Sequence, residues 1–133
     1  GYWAALIARA GGDVVAFARA PVGGTAENGW FPESLAPAHP YHPIATADSV
    51  AAGDHPERTL LLCWPPSADP MAYEALVAYE HAGGRRVMFV GEPYGCTGDE
   101  QFHDRLSEGW SESWTHYLPT WPGIRAYATE WIR

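Results

Sequence analysis

Residues 59–66, TLLLCWPP, constrain the fold of this chain more than any other stretch. Leu60 to Trp64 are apolar without alternation, the pattern of a parallel strand covered on both faces. Pro65 and Pro66 then stop it, because proline has no N–H to continue a ladder. Asp69 and Pro70 mark a helix start, a capping carboxylate followed by a proline at the first helical position. Ala72, Ala75, Leu76 and Tyr79 form the inward stripe of that helix, and Gly83 and Gly84 close it. RRVMFVGE, 85–92, is the next strand. The Trp-Pro-Pro segment has two readings. It is a plain strand terminator, or it is a substrate-facing lip at the carboxyl end of a strand, where α/β folds bind ligands.

The flanking segments extend the alternation. In residues 2–10, Trp3, Leu6, Ile7 and Ala10 recur at helical spacing, and Gly11 and Gly12 supply a left-handed exit. DVVAFA, 13–18, reads as a short buried strand. Residues 21–43 form a long irregular crossover with Trp30, Phe31 and Tyr41 in it. SVAAGD, 49–54, is expected to include a short edge strand. TGDE, 97–100, has the pattern of a capping box, with Thr97 as the cap and Glu100 reaching back. Phe102, Leu106 and Trp110 follow four apart on one helix face. The segment 113–133 predicts two strands in an antiparallel hairpin around a Trp-Pro-Gly turn. The expected architecture is an α/β Rossmann-like three-layer sandwich in a single domain, 1–133. Its sheet is mostly parallel and ends in an antiparallel C-terminal hairpin.

Composition removes several classes of function. The chain is 47% hydrophobic with a net charge of −8, and all eight of its basic residues are arginine. It carries no basic footprint for nucleic acid, and without lysine neither Schiff-base chemistry nor a P-loop is available. No apolar stretch is long enough to span a bilayer, and the first residues do not resemble a secretory signal. Two cysteines make no disulfide framework, so a cytoplasmic setting is the default. The expected partner is a small molecule, with oligomeric state left open.

The order of elements resembles the class I S-adenosylmethionine-dependent methyltransferase family, entered late. The resemblance rests on GYWAALIARAGGDVVAF as the end of a glycine loop, first helix and second strand. VAAGD then matches the third strand and its turn, TLLLCWPP the fourth, RRVMFVGE the fifth, and the closing hairpin strands six and seven. It implies the strand order 3-2-1-4-5-7-6 with strand 1 missing, and a chain truncated before Gly1. It also implies S-adenosylmethionine as cofactor, held by Gly1, Tyr2, Trp3 and Asp54. Substrate would meet Cys63, Trp64, Pro65, Pro66 and Tyr94, with Glu92 as the best general base. The arrangement further requires residues 59–64 to lie away from the sheet's rim, parallel to 13–18 and 86–91.

The family's amino-methylating members carry an Asn/Asp-Pro-Pro-aromatic motif, whose side-chain oxygen accepts from the target amine. Here Trp64 stands at the acceptor position and Ser67 at the aromatic one. An indole donates but does not accept in its plane, although its ring can face a cationic sulfonium. Ala18 or Arg19 occupies the place of the acid that holds the ribose. These departures support a second reading, a non-catalytic Rossmann-like binding or interaction module.

Other clusters have blander explanations. Cys63, Cys96 and His103 suggest thiol chemistry, but a strand cysteine is normally an inert small hydrophobe. His39, His42, His55 and Asp54 suggest a metal, but their prolines fit a stiff surface loop, and no metal is expected. Asp99 suits a helix cap better than a substrate contact. Trp110, Trp114, Trp121 and Trp131 read as core and hairpin packing. A hydrolase or phosphatase would need a nucleophile motif that is not in the sequence.

Overall fold

The computed structural model describes residues 1–21, 41–93 and 96–133. Tyr94 and the crossover aromatics Trp30 and Phe31, together with His39, lie outside the described residues. Contacts group the chain into two compact units, Gly1–Asp48 and Ser49–Arg133.

In the first unit, α1 spans Tyr2–Arg9 and leaves through Gly11 at φ +89°. The helix forms where the spacing predicts, yet none of its residues is buried. The Tyr2 ring meets Trp3 and Tyr41 edge-on, at centroid distances of 6.1 and 6.2 Å. The strand expected over 13–18 shrinks to β1, Phe17–Ala18, paired in parallel with β2, Ala45–Thr46. A strand is only as long as its partner, and β2 begins just after Pro43, which has no N–H to give.

The second unit opens with a 3-10 helix over Ser49–Asp54, where an edge strand was expected. Its Ala-Ala-Gly centre has no β-branched residue to favour a strand. Gly53 packs so closely on the second helix that an added Cβ would lie 3.1 Å from the Ala78 carbonyl oxygen.

Four strands follow: β3 (Leu60–Cys63), β4 (Arg86–Gly91), β5 (Ser111–Tyr117) and β6 (Tyr127–Ile132). They lie in the order β3-β4-β6-β5. The β3–β4 pairing is parallel, and β6 runs antiparallel to both β4 and β5. The unit is therefore α/β with a mixed sheet, which corrects the mostly parallel sheet expected from sequence. The cause is the hairpin, which returns its second strand between β4 and β5. The position required of residues 59–64 is also corrected: β3 runs parallel to β4 as required, but it is an edge strand of this sheet.

The helices α2 (Met71–His81) and α3 (Glu100–Gly109) cover one face. Strand neighbours in register share a face, so Leu62 and Phe89 point the same way, and Cys63 and Val90 the other. Leu62, Val87 and Phe89 meet Leu76 and Tyr79 of α2 and Phe102 and Leu106 of α3 in one core. Asp69 accepts the Met71 N–H at 2.9 Å, but the N-cap is Pro70, one residue later than the sequence predicts. At α3 the expected cap is displaced. Asp99, not Thr97, accepts the Phe102 N–H at 3.0 Å.

Two buried polar groups hold the far end of this core. The Tyr79 hydroxyl lies 2.5 Å from the Arg58 carbonyl oxygen and accepts the Arg85 and Arg86 N–H groups, each at 3.2 Å. It thereby joins the amino-terminal approaches of β3 and β4. Glu80 has a side chain only 1% exposed. Its carboxylate receives Arg105 Nε at 2.9 Å and the Trp110 indole N–H at 2.6 Å, with Arg133 3.4 Å away. Burial alone would raise its pKa. The hydrogen bonds from Arg105 and Trp110, with the charges of Arg105 and Arg133, outweigh that and hold it below the ordinary value. Trp110 and the half-buried Trp131 thus pack as expected, whereas Trp114 and Trp121 are exposed, at 46% and 79%.

Candidate functional site at the carboxyl ends of strands β3 and β4

The parallel pair β3–β4 brings two chain exits side by side. Trp64 leaves β3 with φ +50°, a left-handed conformation that is rare for a bulky residue. Its N–H donates to the Val90 carbonyl at 2.7 Å, so the backbone is pinned while the side chain stays largely exposed. Ala68 is also left-handed, at φ +56°. Strain of this kind persists only where surrounding contacts impose it, and it concentrates at ligand sites. Pro65 is buried and Pro66 half-buried, so the prolines form a rigid ledge just after Trp64.

The segment after β4 is stitched to that ledge. Gly98 N–H donates to the Pro65 carbonyl at 3.0 Å. The buried Thr97 hydroxyl donates to the Glu92 carbonyl at 2.9 Å and accepts the Glu92 N–H at 3.0 Å. His103 Nε2 lies 2.7 Å from the Thr97 carbonyl oxygen. Gly91 is required here, because a Cβ would sit 2.4 Å from Thr97 Oγ1 and 2.8 Å from the Phe89 ring. Gly98, at φ +70°, makes the turn into α3.

The expected site residues divide by position. Cys63, Trp64, Pro65, Pro66 and Glu92 come together at this end of the sheet. Glu92 is half-buried, and one carboxylate oxygen accepts the Arg125 N–H at 2.6 Å, which ties the site to the hairpin loop. Cys63 shares a face with Val90, and burial pushes its thiol up to about 11. A thiol so protonated is no nucleophile at neutral pH.

Asp54 does not join them. It is exposed, and it ends a 3-10 helix whose Gly53 packs on Ala78 in the last turn of α2, towards the amino-terminal ends of β3 and β4. Gly1, Tyr2 and Trp3 belong to the first unit, where Tyr2 and Trp3 present exposed rings and Gly1 lies close to His42 and Ile44. Arg19, at the end of β1, pairs with Asp48 just beyond β2, Nε to Oδ1 3.2 Å.

Sequence reasoning missed the latch made by Thr97, Gly98 and His103. The only signal in the sequence was the pair of glycines bracketing 91–98, because a threonine before Gly-Asp-Glu looks like a cap. No described helix is long and apolar enough to cross a membrane. No protein-family model, no curated protein and no solved structure matches the chain.

Proposed function

We propose that the chain is a class I methyltransferase-like domain that transfers a methyl group from S-adenosylmethionine to a small molecule. The strand order carries this reading. In β3-β4-β6-β5, the last strand inserts antiparallel between two strands that run alike. This arrangement is compatible with the 4-5-7-6 part of the order the resemblance implies, whereas the segment matched to its third strand, VAAGD, is a 3-10 helix.

On this reading the Trp64 ring faces the sulfonium, whose positive charge an indole face attracts. The Pro65-Pro66 ledge limits how substrate approaches. Methyl transfer depends chiefly on holding the acceptor about 3–3.5 Å from the methyl carbon in line with the leaving sulfur. Glu92 has one oxygen without a protein partner among the described residues, and that oxygen takes the proton of the attacking group.

The alternative is a non-catalytic binding module. Arg19 at the place of the ribose-holding acid supports it, as does the distance of Asp54 from the lip. The Pro65 carbonyl at the lip already receives the Gly98 N–H, which leaves it less able to orient a substrate. Isothermal titration of the natural gene product carrying these residues with S-adenosylmethionine separates the two. Saturable one-to-one binding, followed by transfer of a labelled methyl group to a metabolite extract, supports the first reading. Absence of binding leaves the second.

A further inference from the structure

The strand β5 presents a surface whose geometry fits itself. All seven of its residues are exposed, although Trp114, Thr115 and Tyr117 are strong strand formers. It is the outer strand of the sheet, and among the described residues no strand pairs with its far edge. Long edge strands are usually guarded by lysine, proline, inward charge or a bulge, and here Pro119 and the bulge before Trp114 leave only 114–118 open. Between 114 and 118 there is none of these. A bulge lies between Glu112 and Trp114, so the regular stretch begins at Trp114.

The hydrogen-bond phase of that stretch is set by one bond. Leu118 N–H donates to the Ala126 carbonyl at 3.0 Å. In an antiparallel pair the inward-bonding residues alternate with outward ones. Residues 114, 116 and 118 therefore direct their backbone groups at β6, and Thr115 and Tyr117 direct theirs away from the sheet. Side chains divide in the same rhythm. Trp114 and His116 share one face, with rings stacked at 6.0 Å, and Thr115 and Tyr117 occupy the other.

We infer that two copies of this chain associate through β5 as an antiparallel pair about a two-fold axis at His116. In that register Thr115 of one copy faces Tyr117 of the other, twice. The four outward N–H and C=O groups of each copy are then all satisfied. Trp114 meets Leu118 on one face, apolar against apolar, and Thr115 packs on the Tyr117 ring on the other. The bulge stays outside the pairing. Shifting the axis to Thr115 would place the bulged Ser113 opposite Tyr117, so the register at His116 is the one the backbone favours. An edge pairing of this length is smaller than the roughly 1,600 Å² of a standard interface. The expected dissociation constant is on the order of 10–100 µM. The charge of −8 on each copy opposes association, so added salt should strengthen it.

Sedimentation equilibrium of the chain from about 1 µM to about 1 mM reads the inference directly. The expected result is a mass that rises towards twice the monomer, at lower concentration in higher salt. Thr115→Pro removes an outward N–H without touching the β6 ladder, so it should return the mass to the monomer while the circular dichroism spectrum is unchanged. His116→Cys in a Cys96→Ser background should cross-link to itself under mild oxidation. Residues facing each other in a non-hydrogen-bonded pair have Cα atoms about 4.5 Å apart, within reach of a disulfide. A monomer throughout the range overturns the inference. So does a dimer that Thr115→Pro leaves intact or that His116→Cys fails to cross-link.

Discussion

The indole N–H of Trp110 donates to the carboxylate of Glu80 at 2.6 Å, joining the residue after α3 to the end of α2. Arg105 approaches the same carboxylate from within α3, through Nε and Nη2 on one oxygen. A buried charge is tolerated only when several donors replace the water it has lost. Glu80 therefore fastens both helices to each other, and Arg133 draws in the chain end. Replacing Glu80 with alanine should cost about 1–3 kcal/mol, because it leaves the buried indole N–H without an acceptor, while the half-exposed Arg105 and Arg133 turn to water. Urea unfolding with an unchanged m-value checks this.

The same group sets an acid limit. Its folded-state pKa is lower than the ordinary 4.5, so the unfolded chain binds the proton more tightly. Its contribution is present in full above the ordinary value and is lost as pH falls through the depressed one. Stability should drop below about pH 4.5 in the wild type, and this part of the fall should be missing in Glu80→Gln. Thermal melts between pH 2 and pH 7 on both proteins make the comparison.

Thr97→Val tests the latch beside the lip. The substitution keeps the shape but removes a hydroxyl that serves both the N–H and the carbonyl of Glu92. Two polar groups are left unsatisfied at a buried site, and the expected cost is about 1–3 kcal/mol. Amide exchange should speed up at Glu92 and Gly98 and remain slow at Val87 and Phe89 in the core strand.

Trp64→Gly should separate stability from ligand binding. Glycine adopts the left-handed conformation at φ +50° freely, which offsets the loss of a largely exposed ring. The melting temperature should stay within a few degrees. Under the methyltransferase reading, S-adenosylmethionine affinity should fall about tenfold, which corresponds to the ~1.4 kcal/mol lost with a cation–π contact. Calorimetry on the variant and wild type reads both quantities.

The thiols should react unequally. Cys96 is exposed, whereas Cys63 is partly buried with its thiol pushed up to about 11. Iodoacetamide at pH 8 should label Cys96 first. Labelling of Cys63 should rise about tenfold per pH unit towards pH 10, as its thiolate fraction does. Mass spectrometry of peptides resolves the two sites.

The sequence alone determined the local elements whose cause is local. The apolar run of 60–63 could only be a strand, Asp69 and Pro70 could only precede a helix start, and the glycines after Tyr79 had to end that helix. The Trp-Pro-Pro stop was visible for the same reason, because proline forbids a ladder wherever it falls. What tertiary structure decided was everything that depends on a partner. SVAAGD, with no β-branched centre to hold a strand, settled as a 3-10 helix against α2, and 13–18 kept only two strand residues because its partner β2 has only two. The mixed sheet arose because the hairpin returned between two strands. Thr97 left its apparent capping role because a buried hydroxyl could satisfy both backbone groups of Glu92. Spacing along a chain reports the energy of a residue with its sequence neighbours, and it is silent about groups brought alongside from thirty positions away.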